Sequence, residues 1–118
     1  MKESEVLRKC TAKIDEMRKS GEPAYWVKFH GNPFTRSGTP DLHITYYGVS
    51  MWLELKRSEK EKPTKLQEAE MKKWRQAGAI SQKISSVEEM LSLMDLAKKC
   101  CDANQELTKP PSPPILRL

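Results

Sequence analysis

A β-hairpin pattern in the middle of the chain most constrains the fold that this sequence can adopt. Pro40 and Asp41 open its first strand, Tyr47 and Gly48 supply a tight turn, and its second strand ends at Lys56. Strands joined by so short a turn pair in the antiparallel sense. The chain is therefore expected to fold around an antiparallel pair of strands.

This hairpin carries two acids and an amine in positions that can converge. Side chains alternate between the two faces of a strand, so the second strand has one apolar face and one face with Glu54 and Lys56. Antiparallel pairing then places Asp41 near Glu54. Two carboxylates at that separation repel each other unless a positive charge lies between them, which indicates a site for a hard divalent cation such as Mg²⁺. Taken alone, Glu54 and Lys56 would fit a solvent-facing charge pair better.

Length and composition favour one small globular domain that binds a polyanion. The 118 residues suit a single domain with a modest core, and 21 Lys and Arg against 16 Asp and Glu give a net charge of +5. This balance favours nucleic acid as a partner. No apolar run is long enough to span a membrane, and the N-terminus has no apolar signal core, so we expect a cytoplasmic protein.

The wider pattern predicts helices over residues 3–19, 64–77 and 86–101 and strands over residues 24–30 and 79–84. The resulting order, α-β-β-β-α-β-α, predicts an α/β fold around a small mixed sheet. Residues 1–104 are expected to form the domain and residues 105–118 a proline-rich tail. The last helix is apolar on much of its circumference, which favours a partner, most simply a second copy of the chain. No glycine-rich nucleotide-binding motif is present, so no nucleotide cofactor is expected.

Four further side chains suit a functional site, and each has a simpler explanation. Glu3 heads the apolar stripe of the first helix, where it can reach a site at a sheet edge or can favour the helix N-terminus electrostatically. Gln67 heads an inward-facing stripe of the second helix but also completes a capping box with Thr64. Lys28 and the loop residue Arg36 suit a phosphate group, or they are ordinary solvated basic residues.

Together these residues resemble the PD-(D/E)xK nuclease superfamily and, within it, the small stand-alone VRR-NUC proteins, many of them phage-encoded. Members have a helix with Glu, a strand with Lys, a Gly-x-Pro-Asp turn, a Glu-x-Lys strand and a Gln near the start of the next helix. This sequence has the same pieces in that order: Glu3, Lys28, residues 38–41, residues 54–56 and Gln67. The match covers roughly residues 1–90. Glu5 also lies near the first acid of the family, and Glu3 is preferred because it is in phase with Val6 and Cys10.

The resemblance implies a restriction-endonuclease-like fold with a metal site. Asp41 and Glu54 would bind Mg²⁺ or Mn²⁺, helped by the main-chain carbonyl of Leu55. Glu3 would contribute directly or through water.

The remaining residues would serve the substrate. Lys56 would lie beside the attacking water and the scissile phosphate, and Gln67 would orient Lys56 or the water. Lys28 and Arg36 would hold the DNA backbone.

The function implied by the resemblance is a Mg²⁺- or Mn²⁺-dependent endodeoxyribonuclease. It would cut branched DNA, such as Holliday junctions, as a homodimer, and it would act in the host cytoplasm if the chain is phage-encoded. A flap or duplex nuclease is the alternative within this class. Two other possibilities stay open: a non-catalytic nucleic-acid-binding module, and a protein-interaction domain that acts through the last helix and the tail.

Overall fold

The computed structural model describes residues 2–29 and 38–107. Within them the helices are α1 (Glu3–Lys19), α2 (Lys65–Gln76) and α3 (Val87–Leu107), and the strands are β1 (Ala24–Lys28), β2 (Leu42–Tyr46), β3 (Val49–Leu55) and β4 (Ile80–Ile84). This order confirms the predicted α/β arrangement.

The four strands form one mixed sheet in the order β1-β2-β3-β4. The first three strands are antiparallel to their neighbours, and β4 lies parallel to β3, with α2 as the connection. Tyr47 and Gly48 form the turn between β2 and β3, with φ angles of 49° and 78°. A two-residue turn with positive φ at both positions has the same direction of twist as the strands that it joins. The hairpin therefore forms where the sequence predicted it.

The helices cover the two faces of the sheet unequally. α1 and α3 pack on one face, where they bury an apolar core made of Val6, Cys10, Ile14, Ala24, Leu42, Ile44, Tyr46, Met51, Leu53, Leu55, Ile84, Met90, Met94 and Ala97. α2 packs on the other face over β3 and β4, and its Trp74 ring stacks on Trp52 with centroids 4.1 Å apart. The β1 part of this second face is more open, since Tyr25 and Val27 are 65% and 43% exposed.

Two features differ from the predicted pattern. Residues 51–55 of β3 are buried on both faces, because α2 covers the face that the sequence pattern left open. α3 continues to Leu107, beyond its predicted end near residue 101, because no proline or glycine interrupts this part of the sequence. Residues 108–118 lie outside the described ranges, so the proline-rich tail stays a prediction. None of the described helices has the length and apolar character needed to cross a membrane.

Candidate active site

The hairpin register brings Asp41 and Glu54 to the same end of the sheet. Leu42 pairs with Leu53 in the antiparallel ladder. Asp41 precedes Leu42 and Glu54 follows Leu53, so Asp41 and Glu54 lie opposite each other. Directly opposed residues of an antiparallel pair point to the same face. The two carboxylates therefore meet, as the hairpin pattern predicted.

The first helix adds a third carboxylate to this pair. One oxygen each from Glu3, Asp41 and Glu54 lie within 4.8 Å of one another. Glu3 is exposed, Asp41 is half-buried and Glu54 is 3% exposed. Of the two acids in the first turn of α1, Glu3 joins the cluster and Glu5 does not, which agrees with the helical phase of Glu3 relative to the core. We refer to these three residues as the carboxylate cluster.

Main-chain contacts fix Asp41 in place. The Leu55 N–H donates to Asp41 Oδ2 at 3.2 Å, and the Phe29 N–H donates to the Asp41 carbonyl at 2.8 Å. The Lys56 N–H donates to the Ile84 carbonyl on the β4 side at 2.9 Å. Because N–H and C=O point in opposite directions across a trans peptide, the Leu55 carbonyl is directed away from β4, towards the side on which Asp41 lies. This direction suits its predicted contribution to a metal site.

Gln67 serves the helix cap and the carboxylate cluster at once. Its main-chain N–H donates to Thr64 Oγ1 at 3.1 Å, and its Oε1 accepts from the Thr64 N–H at 2.9 Å. Its Nε2 then donates to Glu54 Oε1 at 3.0 Å. The two explanations that the sequence left open are therefore both present, since a single amide completes the capping box and also binds the buried acid.

Lys56 supplies the positive charge of the site. Its Nζ lies 3.9 Å from Glu54 Oε1, and its side chain is only 14% exposed. Gln67 contacts Glu54 rather than Lys56, so the role of orienting the lysine directly is not visible in the hydrogen bonds of the described residues.

Glu54 has electrostatic surroundings that disfavour its charged form. The pKa of Glu54 is raised from 4.5 to about 8: burial is the largest cause, the neighbouring Asp41 carboxylate adds to the rise, and Lys56 opposes it. Glu54 Oε2 is buried and has no hydrogen-bond partner among the described residues. A divalent cation would satisfy that oxygen and stabilise the carboxylate form, and an all-oxygen donor set suits Mg²⁺ or Mn²⁺. The residues present therefore fit such an ion.

Gly38 holds the start of α2 against the Asp41 turn. Its φ is +83°, and a Cβ placed on it would lie 2.5 Å from the Leu66 carbonyl oxygen and 3.0 Å from the Gln67 main-chain nitrogen. Only glycine permits both this backbone conformation and this close approach. The sequence identified Gly38 as part of a motif, but the contact that requires it depends on the position of α2 in the tertiary structure.

The two predicted DNA-binding residues are not both located by the structure. Lys28 pairs with Leu42 at the end of β1, so it lies on the α1 side of the sheet rather than on the face of Asp41. Within the described ranges it makes no hydrogen bond or ion pair with the carboxylate cluster. Arg36 lies outside the described residues. Contact of either residue with DNA stays a prediction.

Sequence reasoning missed the aromatic support beneath the carboxylate cluster. The Trp52 ring, two residues before Glu54 on the same face, stacks on Trp74, His43 and Phe29 with centroid distances of 4.1, 4.2 and 5.3 Å. These contacts link β2, β3, α2 and the residue that follows β1 next to the site. The shared parity of Trp52 and Glu54 on β3 was the available signal for this arrangement.

The fold and the site together define the class of protein. A mixed sheet with helices on both faces, and with two acids and a lysine at one end of its hairpin, is the restriction-endonuclease-like arrangement. A solved structure described as a VRR_NUC domain matches this chain with a TM-score of 0.55 and 27% sequence identity, covering 71% of this chain and 89% of that chain. No family model and no curated protein matches the chain. The structural match confirms the resemblance seen in the motifs: this chain has the fold of a VRR-NUC domain.

Proposed function

We propose that this chain is a divalent-metal-dependent nuclease that hydrolyses phosphodiester bonds in DNA. The observation that carries this proposal is the carboxylate cluster, in which acids from α1, from β3 and from the residue before β2 place oxygens within 4.8 Å of one another beside Lys56. In a protein that binds no cation, burying Glu54 beside a second acid would only reduce stability. The structural similarity to a VRR_NUC domain supports the same function.

The chemistry divides between the cation and the residues of the chain. Glu3, Asp41, Glu54 and the Leu55 carbonyl would hold the ion, which when bound supplies Lewis acidity and neutralises charge during phosphodiester hydrolysis. Gln67 keeps Glu54 in one orientation through its amide N–H. The ammonium group of Lys56 stabilises negative charge that develops on the phosphate oxygens.

Other nucleophiles and metals are less suited to this site. Burial and the nearby Glu88 raise the pKa of the Cys10 thiol to about 11, so this core cysteine stays protonated at neutral pH. The cluster offers carboxylate oxygens, whereas zinc sites usually include cysteine or histidine. A hard cation, Mg²⁺ or Mn²⁺, is therefore the proposed cofactor.

Branched DNA, such as a Holliday junction, is the proposed substrate, with flap or duplex DNA as the alternative. The net charge of +5 supports a polyanionic substrate. The preference for a branched structure rests on the resemblance to stand-alone VRR-NUC proteins.

A homodimer is the proposed assembly, because two-fold symmetry presents two sites to two strands. Most apolar side chains of α3 pack into the core of the same chain, and Leu96, 49% exposed, is the large one left to solvent among the described residues. Tyr25 and Val27 on the open part of the sheet are further apolar surface that a second copy could cover.

Cleavage of defined DNA substrates tests the proposed function. Purified protein is incubated with a four-way junction, a flap, a duplex and a single strand, each with Mg²⁺, with Mn²⁺ or with EDTA. We expect cleavage with either metal and none with EDTA. Asp41→Asn and Lys56→Ala should each abolish cleavage and leave DNA binding largely intact, since neither change removes surface cations far from the site.

The same preparations provide the controls. A variant that cuts as fast as the wild type would indicate a contaminating nuclease or a wrong site. Failure of the wild type to cut any substrate with either metal would refute the enzyme function, and salt-dependent binding without cleavage would favour a binding module.

A further inference from the structure

The two oxygens of the Glu54 carboxylate have different surroundings. Oε1 accepts a hydrogen bond from Gln67 Nε2 at 3.0 Å and lies 3.9 Å from Lys56 Nζ. Oε2 is buried and has no hydrogen-bond partner among the described residues. The Gln67 amide therefore holds one oxygen of Glu54, and the other oxygen is left for a cation.

The main-chain N–H of Thr64 orients that amide. An amide side chain has one accepting oxygen and one donating nitrogen, so it can point either way. The Thr64 N–H is a donor and requires the Gln67 oxygen, which it meets at 2.9 Å. With Oε1 committed to Thr64, Nε2 must face Glu54.

The start of α3 shows that a carboxylate, as well as an amide, can accept a main-chain N–H at a helix N-terminus. Glu89 lies three residues after Ser86, as Gln67 does after Thr64; its N–H donates to Ser86 Oγ at 3.2 Å, and its Oε1 accepts at 3.1 Å from the N–H of Ser85, the residue before the cap. A carboxylate at position 67 would satisfy Thr64 equally well. A carboxylate has no N–H to donate to Glu54, and it would repel the ionised, cation-binding form of Glu54, so the contact with Glu54 accounts for the amide.

We propose that Thr64 is a positioning residue of the carboxylate cluster, acting through its main-chain N–H on Gln67 and through Gln67 on Glu54. The inference rests on the proposed function, because it concerns the readiness of Glu54 to bind a cation. Gly38 packs against the Leu66 carbonyl and keeps this first turn of α2 close to the site. The N-cap of α2 is in this way part of the active site.

Two substitutions at position 64 separate the effect of the Thr64 hydroxyl from the effect of its main-chain N–H. Thr64→Ala removes the capping hydroxyl and keeps the N–H, whereas Thr64→Pro removes both. Proline suits the position, since the φ of Thr64 is −67°. Each variant should lower the Tm by about 4 °C, as expected for the loss of one helix cap.

Calorimetric titration with Mn²⁺ then gives the decisive comparison. Thr64→Pro should raise the Kd for Mn²⁺ about tenfold, the usual effect of losing a group that orients a ligand, whereas Thr64→Ala should change it by less than about threefold. Ser86→Ala removes a cap of α3 and is the matched control, because it should lower the Tm and leave the Kd unchanged. Equal Kd values for Thr64→Pro and Thr64→Ala would overturn the positioning role.

Hydrogen exchange of the Gln67 side chain tests the Gln67–Glu54 hydrogen bond, on which the positioning role depends, without metal and without the proline variant. In ¹⁵N-labelled wild type, this amide, assigned by its loss in Gln67→Glu, should exchange about tenfold more slowly than that of the exposed Gln76. Exchange as fast as that of Gln76 would overturn the proposal even in a protein that binds Mn²⁺ and cuts DNA. Slow exchange without any Mn²⁺ binding would instead refute the proposed function, and the positioning role with it.

Discussion

Replacing Glu54 with glutamine should stabilise the metal-free protein at alkaline pH. Glu54 is 3% exposed, and burial, together with the Asp41 carboxylate, raises its pKa from 4.5 to about 8. Between these pH values the folded protein keeps a proton on Glu54 that the unfolded chain has lost. The stability contributed by this proton is complete below pH 4.5 and is lost as the pH rises through 8.

The size of the effect follows from the two pKa values. At about 1.4 kcal/mol per pH unit, the interval between 4.5 and about 8 corresponds to a loss on the order of 5 kcal/mol. Glutamine has nearly the same shape, keeps an oxygen to accept from Gln67 Nε2, and cannot ionise. The variant should therefore match the wild type near pH 4.5 and exceed its free energy of unfolding by several kcal/mol above pH 8.

Urea denaturation in EDTA, followed by tryptophan fluorescence, measures this difference. Subtracting one protein from the other cancels the titrating groups that do not interact with Glu54, such as His43, whose pKa is lowered by burial. Adding Mg²⁺ or Mn²⁺ at alkaline pH should stabilise the wild type and leave the variant unchanged. Equal stability of the two proteins at both pH values would refute the reasoning, because Glu54 would then not be held in a buried site beside Asp41.

Two further pairs of variants test the geometry around the carboxylate cluster. Gly38→Ala and Gly78→Ala both place a side chain at positive φ, which costs about 1–2 kcal/mol. At Gly38 the new Cβ also meets the Leu66 carbonyl, so urea denaturation should show at least about 1 kcal/mol more destabilisation for Gly38→Ala than for Gly78→Ala. Equal destabilisation by the two substitutions would contradict the contact. Glu3→Gln should weaken Mn²⁺ binding in a calorimetric titration by about tenfold, whereas Glu5→Gln on the same helical turn should not, and the opposite ranking would assign the first-helix acid to Glu5.

Local sequence patterns predicted the order of the helices and strands and the meeting of the two strand acids, although not the end of α3. A two-residue turn at Tyr47 and Gly48 fixes the register of a hairpin, and strand parity then fixes which residues share a face. Asp41 and Glu54 were therefore predictable as neighbours from a local pattern. The starts of α2 and α3 were predictable for the same reason, since the capping hydroxyl and the main-chain N–H that donates to it are only three positions apart.

The surroundings of those acids depend on how the helices pack against the sheet. The packing of α2 over β3 buries Glu54, and no feature within β3 specifies that burial. The same packing lets Gln67 serve both Thr64 and Glu54, a question that the sequence had left as two alternatives. The position of Lys28 away from the face of Asp41 likewise depends on how β1 joins the sheet.

The physical reason for this division is the range of the interactions. Turn geometry, helix capping and side-chain alternation act between residues close in sequence, so the sequence displays them directly. Burial, and the pKa of a carboxylate, depend on which distant groups exclude water from it. Local patterns in the sequence therefore predicted that Asp41 and Glu54 would meet, whereas the packing of α1 and α2 against the hairpin buries Glu54, orients it and leaves its Oε2 without a hydrogen-bond partner among the described residues.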